Sequence, residues 1–580
     1  MIPEERMNTE DFFIMSAESH ARAEHFVKNE TPFHLGVLPT EQSNPLTVTL
    51  EDDFKRNTAE GIATLQRPDR DVLSMLKNLY ASKDYADLAD AMTRTLQNGG
   101  RICFSGCGAT GRLSILLESM WRTACRDLAG TYPALKDLGD RVCSIMTGGD
   151  FALVKSVESF EDYCVFGRRQ VQEAALGQGD LLVAITEGGE TSSVIGTAEE
   201  AVERGAGVFL LFNNPASVLE EHVERSRRVI RNPRITVLDL YCGPMALSGS
   251  TRMQATTSEQ MAAGGALETA FCRIAGITPP DYAAGFEKVL DLLESDEIRS
   301  TLAAYIDFEV KVYQDGGKIT YLTHDFLLDV FTDTTERSPT FMLPPFRRTD
   351  DTVSAQSWAF VKDPLFSTPD AWQNAMARDL RCLNWTMADY EAMGVTDRIT
   401  SAPAIGTKDL LAFPIGNEPS PERAADSADT VVTILMGEET CDAALLGSCA
   451  EIMKQYPAAR TFCVGSPVGD FAFPAITLSC QTEQPLRLLD HIVLKLILNT
   501  ISTGVMVKYG RVSGNWMSFV ALSNKKLIDR GIRLVSGLGK ISYEDAAYLI
   551  FDAMEQTENM RTEKGERICA VQYALANIGR

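Results

Sequence analysis

The sequence predicts an α/β protein of two tandem, doubly wound parallel sheets flanked by helices, with a small helical cap at its C-terminal end. Three observations predict it. Apolar runs of strand length alternate with helix-like stretches. Two of those runs break directly into glycine- and hydroxyl-rich turns and re-form as helices, the arrangement that holds an anion on backbone N–H groups. The alternation then starts again and closes on a second long helix like the first, so one domain of roughly 200 residues is read as duplicated.

Residues 1–60 are polar with short apolar patches and read as an N-terminal extension lying on the first domain, with LPTEQSNP at 38–45. Residues 71–97 carry Val72, Leu73, Met75, Leu76 and Leu79 at helical spacing and predict a pair of amphipathic helices. The first domain, 61–280, has strands at 101–105, 142–146, 181–185, 208–212 and 235–240, with helices from about Phe151, Ser193 and Thr257. The second, 281–524, has strands at 318–322, 431–435, 461–464 and 476–479 and a long helix over 486–509. Residues 525–580 are charged and helical; Ser542, Tyr543 and Glu544 open one helix as a capping pattern.

A length of 580 residues exceeds one core. The net charge of −24, without a basic stripe, excludes nucleic acid as a partner. The N-terminus is acidic with no leader, and no uninterrupted apolar run approaches bilayer length, so a cytoplasmic protein without a membrane partner is expected. The 13 cysteines form no CxxC pair and the 6 histidines no ligand spacing, so neither a metal nor another cofactor is expected.

Two stretches carry the chemistry. In GCGATGR, 106–112, Gly106, Gly108 and Gly111 let the backbone approach an anion, Ala109 stands at the turn into the helix, and Thr110 adds a hydroxyl. In TEGGETSS, 186–193, Gly188 and Gly189 free the backbone, while Thr186, Glu190, Thr191 and the serines surround it with polar groups. Loops at the same ends of neighbouring parallel strands face one crevice. Read alone, the first is also a tight turn and the second a hydroxyl-rich helix cap.

LPTEQSNP, GGRICFSGCGATGR, the stretch 148–162 with SVESFED, GPMALSGSTRM at 243–253 and LKLILNTISTGVMVKYGRVSGNWM at 494–517 together resemble the N-acetylmuramic acid 6-phosphate etherases and their duplicated relative, the glucokinase regulatory protein. The likeness runs in family order over most of residues 38–550. It implies two sugar isomerase (SIS) domains, and TEGGET looks like the phosphate-binding Ser-x-Ser-Gly-Glu-Thr loop of other SIS proteins, with Thr186 and Gly188 replacing serines.

The same resemblance assigns roles. The family's base lies in Val-Glu-x-x-Glu-Asp, matched by Glu158, and its acid in Asp-x-x-Glu-x-x-Pro-Thr-Phe, matched by Glu336 in DTTERSPTF. The first half departs at the acid position, where Met120 stands with Glu118 nearby. The second half lacks glycine in LTHDFLLD, 322–329, and matches the second loop poorly in LMGEETCD, 435–442. Lys495 is matched in the first half by Gln260, and Arg252 in GSTRM offers a second cation. The losses are complementary. Packed as the family's dimer within one chain, the two halves make one complete composite site for a sugar phosphate, with Arg252, Lys495 and the loops fixing the phosphate. Etherase-type elimination, aldose–ketose isomerisation, and ligand-gated control of a partner such as a sugar kinase all remain open, as do a protein partner and a homo-oligomer.

Overall fold

The computed structural model describes residues 16–396, 399, 401–466, 468–473, 484–562 and 565–578, the side chain of Glu158 excepted. The first sheet runs in the order β2-β1-β3-β4-β5, with β1 Ile102–Gly106, β2 Val142–Met146, β3 Leu181–Ile185, β4 Gly207–Phe212 and β5 Ile235–Asp239. All its pairs are parallel. The inner strands β1 and β3 are buried along their whole length, as strands covered by helices on both faces must be.

The second sheet repeats this design. It comprises β6 Ile319–Leu322, β7 Ala359–Lys362, β8 Thr430–Met436, β9 Ala458–Val464 and β10 Phe471–Phe473, in the order β10-β9-β8-β6-β7 and again parallel throughout. Matching β1 to β6, β2 to β7 and so on gives the same strand order in both sheets. In each, the order reverses between two central strands, β1 and β3 or β6 and β8, and the loops after those strands flank a crevice. The expected strand at 476–479 lies outside the described residues. Neither β7 nor β10 was expected.

Each half closes on a 22-residue helix, Gln254–Ala275 in the first and Leu488–Tyr509 in the second, and these two pack together. Helix Ala109–Leu128 packs on helix Leu327–Phe341 across the same junction. Gly264 permits the close approach, since a Cβ there would stand 2.6 Å from a Leu488 methyl. Helix Leu488–Tyr509 is long and apolar enough to cross a bilayer by length and composition alone, but 89% of its most apolar stretch is buried inside the protein, as befits a core helix.

Residues 37–517 form one compact unit, and the described parts of 1–36 and 518–580 form another. The extension expected over 1–60 is therefore divided at Gly36. Helix Ala17–Asn29 packs on helix Tyr543–Thr557 within the helical unit, where Ser16 donates to Glu555 at 2.6 Å and Phe26 lies 5.8 Å from Phe551. Ser542 caps the latter helix by accepting from Asp545 N–H.

Candidate active site

In the first loop, β1 ends at Gly106, where a Cβ would collide with the Thr110 carbonyl at 2.4 Å. Gly108 takes φ +57°, ψ −125°, which a side chain would strain, and caps helix Ala109–Leu128 with no side chain over its first N–H groups. A helix start of this kind favours an anion. The Thr110 hydroxyl differs from expectation. It is buried, accepts Cys107 N–H at 3.0 Å and donates to the Cys107 carbonyl at 2.9 Å, so it braces the loop from within.

The second loop is braced likewise. Thr186 Oγ1 donates to Thr191 Oγ1 at 3.0 Å, and Gly189 has φ +73° against Leu219 and Phe212. The Gly188 carbonyl accepts from Asn214, which exchanges two hydrogen bonds with Thr40 of LPTEQSNP. Glu190, expected beside the ligand, is buried and accepts from Arg225 Nη2 at 2.7 Å, while Arg225 Nε donates to its backbone carbonyl. Arg225 thus fixes the direction of that carboxylate.

The segment carrying Glu158 is strapped between the two loops. Arg112, fully buried at the end of GCGATGR, donates to the carbonyls of Leu153 at 3.2 Å and Ala152 at 3.1 Å and to Ser156 at 3.4 Å. At the other end, Ser193 N–H from the second loop donates to the Glu161 carbonyl at 3.1 Å. Glu158 opens the short helical turn Glu158–Phe160 between these anchors, and its side chain lies outside the described residues. The remaining face of the Arg112 guanidinium donates to Glu336, which reaches it from helix Leu327–Phe341 of the second half. One arginine therefore gathers the first loop, the backbone leading to Glu158, and Glu336.

Ala109, Arg112, Arg252, Gln260, Glu336 and Lys495 line one narrow pocket at this junction, with Asp329, Asp333 and Asn499 among its other walls. Lys495 crosses to the first half. Its Nζ lies 2.7 Å from Thr257 Oγ1, 2.9 Å from Asn499 Oδ1 and 3.1–3.2 Å from the carbonyls of Arg252 and Met253. Burial pushes its pKa down to about 7, partly offset by Asp69. Arg252 departs furthest from the phosphate donor expected of it. Its terminal nitrogens bind Asp333 at 2.9 Å, Ser502 at 3.1 Å and Thr503 at 2.9 Å, leaving a buried Nε without a partner among the described residues.

Sequence reasoning missed several of these roles. Asp333, three residues before Glu336 on the same helix face, receives Arg252, Arg337, Asn499 and Ser502 together. Its signal lay in the Asp-x-x-Glu spacing itself. Glu187 accepts from Thr256 at 3.2 Å, and the buried Glu259 behind it has its pKa raised well above the carboxylate range by burial and by Glu187. Glu118 does not substitute for Met120. It is fully buried and accepts from Arg122, Ser144, Arg378 and Arg381, pinning the halves together.

With this geometry in view, the chain was compared with known proteins. Residues 85–201 match the sequence model of the glucokinase regulatory protein N-terminal SIS domain. An N-acetylmuramic acid 6-phosphate etherase of Aliivibrio fischeri is 30% identical over 227 residues, 39% of this chain and 67% of the etherase. Etherase 1 of Bacillus licheniformis is 28% identical over 228 residues, 39% of this chain and 66% of its own length. The chain thus spans about two thirds of the etherases it matches. Among solved structures, a tagatose-6-phosphate ketose/aldose isomerase from Escherichia coli superimposes with a TM-score of 0.42 at 13% identity, over 78% of this chain and 95% of the isomerase.

Proposed function

The chain belongs to the N-acetylmuramic acid 6-phosphate etherase family of SIS-domain proteins, and on that premise we propose that its first crevice binds an amino-sugar 6-phosphate and removes the proton from C2. The observation that carries this reading is the Arg112 junction, which joins the anion loop, the Glu158 segment and Glu336 of the opposite half. The phosphate lies on the N–H groups at the start of helix Ala109–Leu128, opposite a positive dipole end. Glu158 takes the C2 proton. As the C2–H electron pair becomes the C2–C3 double bond, the C3–O bond breaks, and Glu336 gives a proton to the departing lactate oxygen.

Acid and base each contribute about a hundredfold or more. On an open-chain sugar phosphate with a hydroxyl at C2 and no leaving group at C3, the same base gives the proton to C1 while the O2 proton passes to O1, and the reaction becomes aldose–ketose isomerisation. A second reading is supported by the match to the glucokinase regulatory protein's SIS domain, namely a sugar-phosphate-gated regulator of a partner protein. Incubation with N-acetylmuramic acid 6-phosphate, followed for released lactate, separates them. Wild type is expected to release lactate, and Glu158→Gln to bind with affinity within a few fold but not to turn over. Ligand-dependent stabilisation without any turnover of a sugar phosphate would favour the regulator.

A further inference from the structure

The loops after β6 and β8 flank a second crevice, equivalent by strand order to the first. It is filled by a side chain. Glu439, from the Gly437–Cys441 turn after β8, is buried, with Oε1 accepting Asp325 N–H and Oε2 accepting Met436 N–H, each at 2.9 Å. The Asp325 donor comes from the loop after β6, whose counterpart in the first half carries glycines, and the Met436 donor from the last residue of β8, where Glu439 caps the start of its own turn. Two cations lie near the carboxylate, each paired with other acids, Arg487 with Asp490 at 3.0 Å and Asp325 at 3.6 Å and His324 with Asp363. His324 is bonded through Nδ1 to Asp363 at 2.9 Å; burial opposes its imidazolium, but Asp363 lifts its pKa overall. Arg487 lies over Phe326 at 4.8 Å, with Nη2 3.9 Å from where a Gly437 Cβ would stand. At the end of β6, Thr323 Oγ1 is buried without a partner among the described residues.

The corresponding glutamate of the first half, Glu190, also precedes a threonine in the loop after the equivalent strand, and Arg225 holds it by its carboxylate. Among the described residues no arginine hydrogen-bonds Glu439, which turns onto the backbone N–H groups of Asp325 and Met436. We propose that the second crevice is an intact anion hole whose occupant is the chain's own Glu439 carboxylate, and that phosphate or a phosphate monoester is the ligand class it accepts once that carboxylate is removed. N–H donors converging from the loop after β6 and the end of β8, with a buried unpartnered hydroxyl at Thr323 and two cations nearby, are the equipment of a phosphate site. The inference does not depend on the catalytic reading of the first crevice.

Equilibrium dialysis with inorganic phosphate at pH 8, comparing wild type with Glu439→Ala, tests it. The variant is expected to bind one more phosphate per chain than wild type, and its Tm to rise more steeply with phosphate. A folded variant with the wild-type count would overturn the proposal. Should Glu439→Ala fail to fold in phosphate-free buffer, restoration by phosphate or acetate supports the hole, and failure of both to restore it overturns it. A wild-type count of zero speaks against the first crevice as a phosphate site. The difference between variant and wild type still decides the second.

Discussion

The two crevices descend from one strand order but have opposite interiors. In the first, glycines shape both loops, the hydroxyls of Thr110, Thr186 and Thr191 turn inward to brace them, and Arg225 holds Glu190 by its carboxylate. In the second, glycine is missing after β6 and Glu439 occupies the loop N–H groups. What crosses the junction is equally unequal. The second half sends Glu336 and Lys495 toward the first crevice, whereas the equivalent positions of the first half are Met120 and Gln260. Two halves of one strand order thus line their crevices differently, and the side chains that differ are few enough to exchange.

The largest effect is expected where the halves are clasped. Asp333→Asn leaves Arg252 and Arg337 buried with diminished compensation and should cost about 3–5 kcal/mol, read as a fall in urea midpoint. A loss under about 1 kcal/mol would remove the clasp from the account. Arg112→Met severs Glu336 from the Glu158 segment and should lower kcat about a hundredfold with a smaller change in KM. An effect on KM alone would reduce Arg112 to a binding residue. Arg225→Met frees Glu190 to turn as Glu439 does, and phosphate affinity of the first crevice should fall about tenfold. Unchanged affinity would mean that loop geometry, not Arg225, directs the carboxylate.

The smallest effect is read in pH. Burial raises the Glu439 carboxyl to about 7 from an ordinary 4.5, with Asp325 adding to the rise and the backbone donors and His324 opposing it; Arg487, Asp490 and Asp363 are further charges nearby. Between those values the folded chain holds a proton that the unfolded chain has lost, so this group's contribution to stability falls as pH rises from about 4.5 to 7 and is flat above. Glu268, also held near 7 by burial, and Asp69, near 6, add slopes of the same sign. Glu439→Gln should therefore remove part of the fall between pH 5 and 7.5 and leave the rest. An identical pH profile would place Glu439 outside the buried network.

Much of this was legible beforehand because it is local. Strand and helix periods located both sheets, and the glycine turns located the loops, to within a residue or two at β2 and β3. Strand β7 escaped because Ala359–Lys362 is only four residues long and lies in a stretch with no clear helix–strand alternation. The family resemblance marked Glu336 and Lys495, but not that Arg112 would receive the glutamate or that Lys495 would bind carbonyls of residues 252 and 253. Those contacts join residues more than 200 positions apart. The pairing of Arg252 was hidden for the same reason. A cation in a small, hydroxyl-rich turn reads as a ligand donor until the buried Asp333 opposite it is known.

The claim that one site is assembled from both halves rests most directly on Glu336. Lactate release from N-acetylmuramic acid 6-phosphate should be followed in wild type and Glu336→Gln at matched fold stability. A loss of about a hundredfold or more in the variant, with sugar-phosphate binding kept, is the predicted result. Wild-type rates in Glu336→Gln would mean that the first half works without the second.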